Sequence, residues 1–237
     1  MLVQILGESY DANIEKLYLT NKNITEIPES IGKLLNLKEL HLANNRLTVI
    51  PESIGKLVNL TKLRLLNNQL KAIPESISEL VRLKELYLNK NQLTILPESF
   101  GKLVKLEHLT LSNNQLTTLP ESIGELINLQ KLYLYCNQLR VLPESIGRLV
   151  NLERLDLNFN QLQNLPSSIL NVKESLKICA CAYEINNLLT DTEFLIFSDL
   201  YEELTNLPAG LKEIWIKHED KRINHKLPFG CVIKYFE

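Results

Sequence analysis

Pro28, Pro51, Pro74, Pro97, Pro120, Pro143 and Pro166 follow one another at intervals of 23 residues. No other feature of the chain constrains its fold as strongly. A fixed period of this length marks a supersecondary unit that cannot bury its apolar face alone and must stack on copies of itself. Asn45, Asn68, Asn91, Asn114, Asn137 and Asn160 keep the same beat.

Each unit reads L-x-x-L-x-L-x-x-N-x-L-x-x-L/I-P-E-S-I-G-x-L. In L-x-L both leucines point to one side of a short strand, because side chains alternate at period two. Leu17 and Leu19, Leu63 and Leu65, and Leu155 and Leu157 are therefore core positions. Parallel strands stack about 4.8 Å apart, so seven units predict a sheet about 30 Å long. Parallel pairing needs a crossover, and the rest of each unit supplies it. The asparagine amide both donates and accepts, so it suits a turn whose backbone groups are buried. A ladder of stacked asparagines is expected, broken at the first unit by Lys22. Proline lacks an N–H and fits the first position of a helical turn. The glutamate after it is favourable near a helix N-terminus. Gly32, Gly55, Gly101, Gly124 and Gly147 predict close approach of successive backbones, and Ser78 marks a position where a larger residue is accepted.

These residues resemble the leucine-rich-repeat family, in its cytoplasmic 23-residue type with Leu-Pro after the strand and Ile-Gly-x-Leu on the back. The resemblance covers residues 14–170. It implies an α/β solenoid: a right-handed arc with a parallel sheet on the concave face, short 3-10 or helical convex segments and a mixed α/β C-terminal cap. It also implies a non-enzymatic protein–protein interaction module. Two settings accompany the resemblance: scaffolds of small-GTPase or phosphatase signalling, and effectors that bacteria deliver into host cells. The second is favoured by the short, Lys/Glu/Asn-rich character of the repeats.

Residues 1–13 are expected to form an N-terminal cap, 14–170 seven repeats, and 171–237 a degenerate repeat and C-terminal cap, since solenoid ends expose core and strand edge. Thr190 and Glu193 match a capping box, and Phe194, Phe197, Tyr201 and Leu204 recur at helical spacing. These predict a helix over 192–204. Strands are expected at 211–217 and within 227–236.

Net charge is −2, which recruits neither nucleic acid nor acidic lipid. No run reaches the roughly 20 apolar residues of a membrane span, and the N-terminal segment lacks a basic region and a long apolar one. Cys136, Cys179, Cys181 and Cys231 do not make the paired framework of a small secreted domain. A cytoplasmic setting is expected, in the chain's own cell or a host's. No phosphate loop, hydrolytic triad or complete metal-ligand set is evident, so no cofactor, metal or small-molecule substrate is expected. Cys179 and Cys181, two apart on an expected strand, are the one thiol pair that points to an enzymatic alternative.

The variable x positions carry the information about a partner. The residue before the first leucine alternates in charge from Lys16 to Glu85, which reads as an ion-pair ladder of modest energy. Four variable rows hold six cations against three carboxylates, too few for a nucleic-acid stripe. Tyr87, Tyr133, Tyr135 and Phe159, with Lys131, Arg154 and Asp156, make an aromatic patch rimmed by charge, the composition of a protein-contact site. The competing reading is that the C-terminal cap folds over this patch and buries it. Trp215 extends it if Ile214 and Ile216 face inward.

Overall fold

The computed structural model describes residues 2–162, together with Leu165, Pro166, Ser168, Ile169 and Val172, and the backbone strands at 177–179, 194–197, 213–217 and 232–236. The chain opens with a hairpin of β1 (Leu2–Ile5) and β2 (Glu8–Asp11), joined through Leu6 and Gly7, both at positive φ. Val3 and Ile5 are buried and join the main core. The Ser30 hydroxyl donates to Gln4 O at 2.6 Å and ties the hairpin to the first repeat.

Each repeat then supplies one short strand: β3 (Lys16–Tyr18), β4 (Glu39–His41), β5 (Lys62–Arg64), β6 (Glu85–Tyr87), β7 (His108–Thr110), β8 (Lys131–Tyr133) and β9 (Arg154–Asp156). They pair in parallel, each leucine against its equivalent one repeat on. Five-residue 3-10 turns return the chain on the far side: η1 (Glu29–Lys33), η2 (Glu52–Lys56), η3 (Glu75–Glu79), η4 (Glu98–Lys102), η5 (Glu121–Glu125) and η6 (Glu144–Arg148). Between these layers the L-x-L leucines and the Ile/Phe-Gly-x-Leu side chains fill one continuous core, with Leu63, Leu86, Leu109 and Leu132 wholly buried. Full burial of such a side chain contributes roughly 1.5–3 kcal/mol.

The asparagine ladder is present. Asn68 Oδ1 accepts from Leu47 N–H at 3.0 Å, while its Nδ2 donates to Leu42 O and Leu65 O, both at 3.0 Å. At the first unit Asn45 Oδ1 accepts from Lys22 N–H and Ile24 N–H, both at 3.0 Å. Proline stands one place earlier than predicted. It is the extended residue before each turn, and its carbonyl takes the first 3-10 bond, as from Ile31 N–H to Pro28 O at 3.0 Å. The glutamate joins repeats rather than capping its own turn: Glu29 accepts from Ser53 N–H at 3.2 Å and Glu98 from Ser122 N–H at 3.3 Å.

Where glycine stands, the turns approach so closely that an added Cβ would meet backbone. A Cβ on Gly124 would lie 2.4 Å from Ser145 O, and one on Gly147 only 2.2 Å from Ser168 O. Where Ser78 replaces glycine, the next serine departs from the pattern, and the Ser99 hydroxyl reaches the Glu75 carboxylate instead.

Beyond β9 the sheet continues in parallel through β10 (Lys177–Cys179), β11 (Phe194–Phe197), β12 (Glu213–Lys217) and β13 (Val232–Phe236), giving eleven strands in sequence order. β12 and β13 fall within the expected strands. The expected helix over 192–204 is corrected: Phe194–Phe197 is a strand paired with β10 and β12. The run Phe-Leu-Ile-Phe has strong strand preference, and the open sheet edge offered it hydrogen-bond partners that a helix cannot use. Thr190 and Glu193, the supposed capping box, lie outside the described residues, as does Cys181. Among the described residues no helix is long and apolar enough to cross a membrane.

Candidate functional site

Side-chain alternation divides the sheet strictly, with leucines inward and the flanking residues on the open face. The rows of that face differ between the two halves of the stack. In the N-terminal half they pair with one another. Lys16 meets Glu39 at 2.7 Å and Lys62 meets Glu85 at 2.8 Å. His41 Nε2 lies 3.1 Å from Glu39, and its ring is 4.5 Å from that of Tyr18. The Lys16 ammonium, with His41 beside it, holds the Glu39 carboxyl below the usual range. Tyr87 donates to Glu85 at 2.6 Å, under the Arg64 guanidinium 5.0 Å from its ring centre. Burial, then the Glu85 carboxylate, pushes the Tyr87 hydroxyl up to about 12. Burial alone would raise the Glu85 carboxyl, but Lys62 and Tyr87 outweigh it and hold it low.

The C-terminal half is organised differently. Lys131 and Arg154 are register partners, two cations side by side. Among the described residues neither forms an ion pair. Register continues the row to Lys177 on β10. Arg154 lies over the Tyr133 ring at 5.5 Å. Tyr133 pairs in register with Asp156, which accepts from Asn158 N–H at 3.3 Å and Asn158 Nδ2 at 3.0 Å. Burial raises the Asp156 carboxyl against those two donors and Arg154. The Tyr135 hydroxyl accepts from Asn113 Nδ2 at 2.6 Å. Phe159 stands at the rim, 49% exposed.

A backbone feature unites the last row of this face. Asn21, Asn44, Asn67, Lys90, Asn113, Cys136 and Phe159 all have φ between +53° and +59°. Among L-residues asparagine enters this left-handed region most readily. The scaffold asks for asparagine here and receives it in four of seven units. Cys136 and Phe159 are consecutive departures, and Cys136 directly follows Tyr135.

The structure thus brings six of the predicted site residues together on β8, β9 and the turns that follow: Lys131, Tyr133, Tyr135, Arg154, Asp156 and Phe159. Tyr87 stands apart, with Thr110 in the row between it and Tyr133, and belongs to the paired N-terminal network. Register places Trp215 in the row of Tyr133 and Asp156, three strands beyond Asp156, through Cys179 and Ile196. The left-handed row is the feature missed in the sequence, although the doublets Asn44-Asn45, Asn67-Asn68 and Asn113-Asn114 signalled it.

A second exposed apolar row consists of Leu35, Val58, Val81, Val104, Ile127 and Val150 at the turns before the strands. It recurs in six successive units without variation in character, and neighbouring amides brace it, as Asn128 Nδ2 donates to Val104 O at 2.8 Å. Such uniformity belongs to the scaffold.

Comparison with known proteins places this architecture. A family model described as leucine rich repeat matches residues 12–70, 58–116 and 111–162. A solved leucine-rich-repeat protein of Leptospira interrogans is 28% identical, with a TM-score of 0.72 over 94% of this chain and 62% of that one. This chain therefore spans less than two thirds of the Leptospira protein's length. The plant peptide hormone receptor RGFR1, solved in complex with RGF2, is 33% identical, with a TM-score of 0.65 over 81% of this chain and 34% of the receptor. The leucine-rich-repeat ectodomain of the Arabidopsis thaliana receptor kinase GASSHO1/SCHENGEN3, in complex with CASPARIAN STRIP INTEGRITY FACTOR 2, is 28% identical, with a TM-score of 0.58 over 81% and 29%. No curated protein matches the sequence. With its period, its stacked strands and a family match spanning residues 12–162, the chain belongs to the leucine-rich-repeat family.

Proposed function

We propose that the protein is a non-enzymatic recognition module that grips one protein partner on the open, concave face of its sheet. The carrying observation is the cluster of Tyr133 on β8 with Tyr135 and Phe159 on the turns after β8 and β9, beside Lys131, Arg154 and Asp156. Tyrosine, phenylalanine and arginine together supply buried area and directed polar contacts, the composition of interface hot spots. The rigid sheet presents them with little ordering on binding. The complexes formed by the two plant receptors above support a proteinaceous partner for this fold. Likeness to the Leptospira protein supports a bacterial setting, and delivery into a host cell accords with the repeat type.

The test is affinity capture from eukaryotic and bacterial lysates with the wild type and with Tyr133/Tyr135/Phe159→Ala. A partner captured by the wild type is expected to be lost, at least tenfold, in the triple variant, with circular dichroism unchanged. Equal capture by the variant would remove the site from these strands. An enzymatic role through Cys179 and Cys181 predicts turnover that Cys179→Ser or Cys181→Ser abolishes.

A further inference from the structure

We infer that the segment recognised at this face is acidic, with carboxylates flanking an aromatic or large apolar side chain. This rests on the concave-face reading above and names the chemistry of its partner. Three observations carry it. First, the charge alternation that neutralises Lys16 with Glu39 and Lys62 with Glu85 stops after β6. It gives way to Lys131, Arg154 and Lys177 in consecutive register positions. Like charges directly opposite across a ladder weaken it, so the fold gains nothing from this sequence of residues. Second, Lys131 has no ion-pair partner among the described residues, and the Arg154 guanidinium lies over Tyr133 rather than against a carboxylate. Among the described residues, Lys131 and Arg154 stand side by side with no carboxylate at ion-pair distance. Third, Phe159 takes a left-handed backbone position that four other units fill with asparagine, and it is half exposed there.

An acidic peptide answers all three. Its carboxylates complete the interrupted alternation at Lys131 and Arg154, and its apolar residue covers Phe159 and the tyrosine rings. A nucleic acid shares the negative charge and the stacking. It fits less well, because the four variable rows hold six cations against three carboxylates, short of the basic stripe a phosphate backbone needs.

The experiment measures binding of the full chain to three probes: a random glutamate–tyrosine copolymer, a lysine–tyrosine copolymer and oligo-dT. The glutamate–tyrosine copolymer is expected to bind best, with affinity falling as salt rises. Lys131→Glu is the decisive variant. It supplies a carboxylate next to Arg154, so the thermal midpoint should hold or rise slightly while copolymer affinity drops at least tenfold. Lys33→Glu, an equal change of charge on η1, should leave binding unaltered. Binding insensitive to Lys131→Glu, or equally reduced by Lys33→Glu, would overturn the inference. So would preference for oligo-dT, or binding of none of the probes. Preference for the lysine–tyrosine copolymer that is lost on Phe159→Asn would sink the acidic partner while leaving the concave-face reading in place. Loss of both readings requires that Phe159→Asn also leave lysate capture intact.

Discussion

Asn114 shows how much one side chain contributes to the stack. Its Oδ1 accepts from Leu93 N–H at 3.0 Å, and its Nδ2 donates to Leu88 O at 3.0 Å and Leu111 O at 2.8 Å. Two of those groups belong to the preceding repeat, so the amide joins two units. Each buried backbone group stripped of its partner costs about 1–3 kcal/mol. Asn114→Ala is therefore expected to lower stability by about 3 kcal/mol or more, read as a fall in denaturant midpoint at nearly constant m-value. Its neighbour Asn113 has a separate duty, a left-handed turn at φ 55°. The doublet thus divides two tasks: one residue bends the chain and the other satisfies it. The second task could be deduced from the amide's chemistry in the sequence. The first could not, because alternation and period report which face a residue occupies and not the sign of φ.

At the scale of the element, the turns of the far layer are held by a fit between Gly-facing backbones and the serines beneath them. The hydroxyls of Ser53, Ser76, Ser122, Ser145 and Ser168 are buried without a hydrogen-bond partner. Their value there is small size. Ser122→Ala should therefore leave stability within about 0.5 kcal/mol of wild type or raise it, since no bond is lost. Gly124→Ala should destabilise by about 1–3 kcal/mol, because the added methyl meets backbone at 2.4 Å and the turns must separate. Thermal unfolding of the two variants side by side checks both. Much of this layer was legible: the strand positions, the inward leucines and the close approach at glycine all follow from the repeat. The strand at Phe194–Phe197 was not, since its helical spacing is a local pattern and the sheet edge that overrode it is assembled from distant sequence. The candidate patch could be written from the sequence as a list of residues. That Tyr87 belongs to a closed network and Lys131 to an open one depends on which neighbour each side chain meets.

At the scale of the whole molecule, stability is a sum over units and their interfaces, and it carries a signature at high pH. Tyr10 donates to Glu8 at 2.6 Å, and this bond, with burial, pushes its hydroxyl up to about 12; Tyr87 reaches about 12 as well. In the unfolded chain both ionise near the ordinary value of 10.0. The folded pKa is the higher one, so the contribution is complete below pH 10 and is lost as pH rises from 10 towards 12. Denaturant midpoints should fall steadily across that interval, and Tyr87→Phe should flatten the fall. Phenolate absorbance should show the Tyr10 and Tyr87 hydroxyls titrating late. The alternation of Lys16, Glu39, Lys62 and Glu85 has a further meaning for how such a gene can change. Repeats of equal length are gained and lost by unequal recombination. Removing one unit, such as that of β4, would bring Lys16 directly against Lys62, while removing two restores the match of opposite signs. The N-terminal half is thus written in a two-letter parity code that admits changes by pairs and penalises changes by ones, and the code lapses at the strands where the partner is proposed to sit.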